Sequence, residues 1–88
     1  MAQNKVDMEE LTGRVHIRRM AVGSKSEGDY ARFVMSAGEE YTLYREGIYP
    51  ANDDYFKQFD GKEVVIVGNI EERTHYICVQ SIVCKDNL

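Results

Sequence analysis

Pro50-Ala51-Asn52-Asp53-Asp54-Tyr55-Phe56-Lys57-Gln58-Phe59-Asp60-Gly61 is a single helix signal in a chain whose other segments read as strands. Pro50 and the Asn52-Asp53-Asp54 cluster supply a cap and first-turn carboxylates, which suit the positive end of a helix. Gly61 stands where a left-handed C-terminal residue is wanted. Tyr55 and Phe59 are four apart and Phe56 and Phe59 three apart, so the spacing predicts rings sharing one face of a short α-helix. A helix of about two turns is not stable alone. It must lie across apolar surface, and the open end of a β-barrel offers that surface.

Three strand patterns precede this segment. Leu11 to Val22 alternates, with Val15 and Ile17 on one side and Arg14, His16 and Arg18 on the other. Gly13 and the Arg18-Arg19 pair disturb the alternation, as a coiled and bulged strand would. Gly23 to Gly28 is a loop by composition. From Tyr30 to Ser36, Ala31, Phe33 and Met35 are expected to face in, and Tyr30, Arg32 and Val34 out. A turn at Ala37-Gly38-Glu39 leads to Glu40–Arg45, with Tyr41 and Leu43 in and Thr42 and Tyr44 out.

Two strands follow. Val64-Val65-Ile66-Val67 is a continuous β-branched run, the pattern of a strand covered on both faces, and Gly68 marks a bend or close approach. Glu71 to Thr74 is a polar hairpin loop. His75 to Cys84 carries Ile77, Val79, Ile82 and Val83 as core, and the switch from odd to even positions predicts a bulge. The expected fold class is all-β: a five-stranded Greek-key barrel with one short α-helix between strands 3 and 4.

The 88 residues allow one domain, read as residues 11–86 after a flexible arm at residues 1–10. With 43% hydrophobic and 30% charged residues the chain reads as globular. No stretch approaches the roughly 20 apolar residues of a membrane span. The opening residues have neither a basic n-region nor an apolar h-region, so no signal peptide is read and the cytoplasm is the expected compartment. Cys78 and Cys84 fall in one strand, where six residues span about 20 Å, beyond the reach of a disulfide. The net charge of −4 argues against a general polyanion binder. Residues 14–45 carry a net +2 and residues 46–88 a net −4, so the surface is polarised.

Gly61-Lys62-Glu63-Val64-Val65-Ile66-Val67-Gly68-Asn69-Ile70, followed by Ile77-Cys78-Val79-Gln80-Ser81-Ile82, resembles the ending common in small bacterial OB-fold proteins. Leu11-Thr12-Gly13-Arg14-Val15 is similar to their first strand. The likeness covers roughly residues 11–84 and implies an OB-like barrel, a scaffold shared by nucleic-acid binders, sugar binders and interaction modules. It also implies a ligand face on the outside of strands 2 and 3, which would present Tyr30, Arg32, Thr42 and Tyr44, with Arg14, His16 and Arg18 on the adjoining strand.

Aromatic rings interleaved with guanidiniums are what single-stranded nucleic acid needs, although tyrosines are also ordinary strand formers. His75, Cys78 and Cys84 lack the paired spacing of a zinc site, so no metal and no cofactor are expected. The pairs Glu39-Glu40, Asp53-Asp54 and Glu71-Glu72 suit turns and a helix start better than a catalytic dyad. With no phosphate loop and no nucleophile motif, the chain does not read as an enzyme. Nine aromatic rings are many for so small a core, and Tyr44, Tyr49 and Tyr76 are expected at the surface. Tyr and Arg are the residue types of interface hot spots. The function expected is therefore a small non-catalytic binding module that engages a protein partner or self-associates. The alternative is single-stranded nucleic-acid binding through strands 1–3, and no membrane is involved.

Overall fold

Alternating apolar and polar residues settle into five strands in a computed structural model that describes residues 8–85. They are β1 (Glu9–Met20), β2 (Gly28–Met35), β3 (Glu40–Tyr44), β4 (Glu63–Glu71) and β5 (Tyr76–Cys84). One short helix, Asp54–Phe59, separates β3 from β4. Residues 1–7 and 86–88 lie outside the described residues, so most of the expected arm does too, while Glu9 and Glu10 already belong to β1.

β1 is long enough to serve two neighbours. Its first half pairs antiparallel with β4, from Glu9 opposite Gly68 to Arg14 opposite Glu63. Its second half pairs with β2, from Gly13 opposite Met35 to Met20 opposite Gly28. β2 pairs with β3 and β4 with β5, both antiparallel, while β3 meets β5 in parallel at Thr42–Tyr76, Leu43–Ile77 and Tyr44–Cys78. The ring of pairings β1-β2-β3-β5-β4 closes the sheet on itself. At Gly13, where β1 changes partner, a Cβ would meet the Val34 carbonyl at 2.6 Å and the Phe33 ring at 2.8 Å, so the curl requires glycine.

The inward set is close to the expected one. Val15, Ala31, Phe33, Tyr41, Leu43, Val64, Ile66, Ile77, Val79 and Ile82 are buried in one cluster. Burying each large apolar side chain stabilises the fold by roughly 1.5–3 kcal/mol. Val83 departs from expectation and is exposed. The expected bulge in the last strand is there: Val67 faces Ser81 and Gly68 faces Val79, leaving Gln80 as the extra residue. That is why the inward positions change parity between Val79 and Ile82. A Cβ on Gly68 would collide with the Cys78 carbonyl oxygen, which explains the glycine. No register shift interrupts β1, so its expected bulge is corrected to a continuous, strongly curled strand.

The expected α-helix is also corrected. Asp54–Phe59 is a 3-10 helix, with Asp53 as its cap accepting from the Tyr55 amide. Its hydrogen bonds run three residues back, as from Asp60 N to Lys57 O at 3.1 Å. With three residues per turn, side chains three apart are eclipsed, and the Tyr55 ring meets Phe59 only edge-on, with centroids 6.0 Å apart. Phe56 and Phe59 are therefore buried in the core, while Tyr55 is left exposed. Gly61 adopts the left-handed conformation expected of it, with φ of 77°, and its N–H donates to the Val15 carbonyl at 2.7 Å. On β4, Val64 and Ile66 are buried, whereas Val65 and Val67 remain half-buried on an outer face that nothing fully covers. Among the described residues no helix is long and apolar enough to cross a membrane.

Candidate functional site

The connection from β3 to the 3-10 helix, residues 45–53, builds the most distinctive surface of the molecule. Asn52 docks against the start of β2: its N–H donates to the Asp29 carbonyl at 2.7 Å and its Oδ1 accepts from the Asp29 N–H at 2.9 Å. Asn52 takes the left-handed conformation to do so, with φ of 61°, which an asparagine tolerates better than most residues. Arg45 donates from Nε and Nη2 to the two Asp53 oxygens at 2.9 and 2.8 Å, closing the loop at its base. The Arg45 guanidinium also lies 4.5 Å from the centre of the Tyr55 ring. Arg45's donation is the main cause holding the Asp53 carboxyl below its ordinary pKa, with the Tyr55 N–H contributing. Tyr49 donates its hydroxyl to Ser26 Oγ at 3.2 Å, tying the loop to the β1–β2 turn.

Facing this loop is the β4–β5 hairpin, which is fixed just as tightly. The His75 N–H donates to the Glu71 carbonyl at 2.9 Å and Thr74 Oγ1 donates to Glu71 Oε1 at 3.1 Å. Tyr41 reaches Glu72 Oε1 at 3.2 Å, and its ring stacks on His75 with centroids 5.3 Å apart. Between loop and hairpin lies a cleft of about 420 Å³ lined by Tyr44, Gly47, Ile48, Tyr49, Pro50, Glu71, Thr74 and Tyr76. That volume lies within the ordinary range for ligand sites, about 300–1,000 Å³.

Three of the lining rings, Tyr44, Tyr49 and Tyr76, are the tyrosines expected at the surface. Tyr49 is 63% exposed, and Tyr44 and Tyr76 are half-buried, meeting edge to face with centroids 5.8 Å apart. The Tyr44 hydroxyl donates to Glu71 Oε2 at 2.6 Å. That hydrogen bond first, and burial second, raise the pKa of the phenol and keep it protonated. Among its eight lining residues the cleft holds one carboxylate and no cation. Ile48, Pro50, Glu71 and Thr74 were not anticipated as site residues. For Ile48 and Pro50 the signal was the triplet Ile48-Tyr49-Pro50, three residues with large apolar surface in a row inside a connection; Glu71 and Thr74 read only as a polar hairpin.

The face expected from strands 1–3 comes together only in part. His16, Arg32, Thr42 and Tyr76 form one row across β1, β2, β3 and β5. Tyr30 and Thr42, expected outside, are buried at 6% and 3% exposure. Tyr49 of loop 45–53 sits against the Tyr30 hydroxyl, which donates to the Ser26 carbonyl at 2.6 Å. Arg32 shields Thr42 by donating to its hydroxyl. Arg32 also pairs with Glu40 at 3.0 Å; that bond is the first cause lowering the Glu40 pKa, with Arg18 and His16 adding to it. Arg14 donates to the Gly61 carbonyl at 2.7 Å. Arg14 and Arg18 are both exposed without an ion pair to a described carboxylate. Tyr44 belongs to the cleft instead.

Cys78 is buried and Cys84 half-buried, and both are free thiols. Among the described residues no three His, Cys, Asp or Glu side chains gather to hold a metal. No family model, no curated protein and no solved structure matches the chain.

Proposed function

We propose that the chain is a non-catalytic binding module that seats part of a protein partner in the Tyr44–Tyr49–Tyr76 cleft. The observation that carries this is the gathering of three tyrosine rings, Ile48 and Pro50 between two hydrogen-bonded walls. Tyrosine offers a large contact area at the cost of few rotatable bonds, which is why it anchors protein interfaces. A wall fixed before binding loses little entropy when the partner arrives. The scaffold proposed is an OB-type barrel, supported by the pairing order β1-β2-β3-β5-β4, its parallel β3–β5 contact and the helix between β3 and β4. A cytoplasmic setting belongs to the same proposal, supported by the two free thiols.

The basic face supports a nucleic-acid ligand less well. Its Tyr30 ring is buried and unavailable for stacking, and Glu40 offsets Arg32. A nucleic acid needs both stacking platforms and unpaired cations.

Selection of a random-peptide display library against the chain, with the Tyr49→Ala variant as counter-selection, tests the proposal. Enrichment of sequences that bind the parent and not the variant is the expected result. Failure to enrich any sequence, together with salt-sensitive binding of single-stranded oligonucleotides that Arg18→Ala abolishes, overturns it. Light scattering that shows a dimer dissociated by Tyr49→Ala also overturns it, because the cleft would then be a self-association surface.

A further inference from the structure

Resting on that assignment of the cleft, we infer that its occupant is a proline-rich segment in the polyproline II conformation that carries a lysine or arginine. The ring arrangement is the first ground. Tyr44 and Tyr76 stand edge to face, and Tyr49, Ile48 and Pro50 line the same cleft, so an occupant meets mainly aromatic and apolar side chains. A polyproline II segment makes no internal backbone hydrogen bonds, repeats every three residues and is already stiff. It docks into aromatic-lined grooves through proline rings and accepts hydrogen bonds on its carbonyls.

The polar groups of the cleft agree. Of the three tyrosine hydroxyls, that of Tyr44 is committed to Glu71 and that of Tyr49 to Ser26. The Tyr76 hydroxyl makes no hydrogen bond with a described residue, so it is free to donate to a carbonyl of the ligand. Glu71 accepts one hydrogen bond on each oxygen, from Tyr44 and from Thr74, and keeps lone pairs in reserve. It is exposed and is the sole charged residue of the lining. A carboxylate with no cation beside it favours a basic side chain and repels a phosphate. Arg73, on the same hairpin, does not line the cleft. A second copy of this sequence cannot supply the ligand, since its single proline is Pro50, itself part of the wall.

Synthetic peptides test this inference directly. The chain has six tyrosines and no tryptophan, so binding of a non-aromatic peptide can be read from the protein's own tyrosine emission. The probes are Ala-Pro-Pro-Arg-Pro-Pro-Ala, the same peptide with Glu for Arg, and one with Gly and Ser for the prolines. The first should bind saturably, the Glu peptide about three- to tenfold more weakly, and the Gly-Ser peptide without saturation. Glu71→Gln should erase the Arg-over-Glu preference, and higher salt should shrink it. Tyr49→Ala should abolish the saturable binding of both proline-containing peptides. Glu71 and Tyr49 are exposed, and circular dichroism and thermal unfolding unchanged from the parent check that both variants keep the fold. Equal binding of the Gly-Ser peptide, or an unchanged preference in Glu71→Gln, overturns the inference. If display instead enriches cleft-dependent sequences without proline, this inference fails while the binding-module proposal stands. If no polypeptide binds, both fall.

Discussion

Asp53 shows how much one side chain can organise. Its two oxygens take both Arg45 donors, one of them also caps the 3-10 helix, and the carboxylate is nearly sealed from solvent. Replacing it with asparagine keeps the size and one acceptor but removes the charge-assisted pair. Asp53→Asn is expected to cost about 1–3 kcal/mol at neutral pH, measured by urea unfolding. Because the folded-state pKa of Asp53 is depressed, its contribution is complete above the unfolded carboxylate value and is lost as pH falls through the folded one. The gap between parent and variant should therefore begin to close below about pH 4 and vanish only once pH has fallen past the depressed folded-state value. A constant gap down to strongly acidic pH would show that the ion pair does not hold the loop. The sequence made Asp53 legible as a cap, since a carboxylate before an aromatic run is a local signal. It did not reveal Arg45 as the partner, because that bond exists only once β3 has ended and the chain has turned.

At the scale of elements, the strands were legible and the covering loop was not. Inward residues on β2, β3 and β5 follow from a period of two, and the Gln80 bulge from its change of parity. The helix was legible in place but not in pitch. Two turns or fewer leave α and 3-10 geometries nearly balanced, and the anchoring of Phe56 and Phe59 in the core selects the tighter one. Tyr30 and Thr42 were misassigned to the surface because strand alternation tells inside from outside of the sheet and not what lies over the outside. Tyr49 of the 45–53 connection sits against the Tyr30 hydroxyl, and the connection is held by the Asn52–Asp29 clamp. For the helix itself, Phe59→Ala is expected to cost about 3–5 kcal/mol in thermal or urea unfolding, as truncation of a buried ring. A loss of under about 1 kcal/mol would mean that the ring does not fill the core.

Viewed as a whole, the molecule separates its jobs between ends and faces. The closed sheet and the two phenylalanines form the core. The arginines of β1 and β2 are mostly engaged with carboxylates and carbonyls of their own chain. The β3–β4 connection, the β4–β5 hairpin and the adjoining ends of β3 and β5 form an aromatic cleft whose one carboxylate has no cation in the lining. The tyrosines of that cleft were legible as surplus to the core; their convergence was not, because it depends on β3 lying parallel to β5 and bringing Tyr44 beside Tyr76. Backbone amide shift mapping with a peptide selected against the cleft decides whether this surface is the one that recognises a partner. The account predicts the largest perturbations at Tyr44, Ile48, Tyr49, Thr74 and Tyr76. Perturbations centred on His16, Arg18 and Arg32, with those five unmoved, would contradict it.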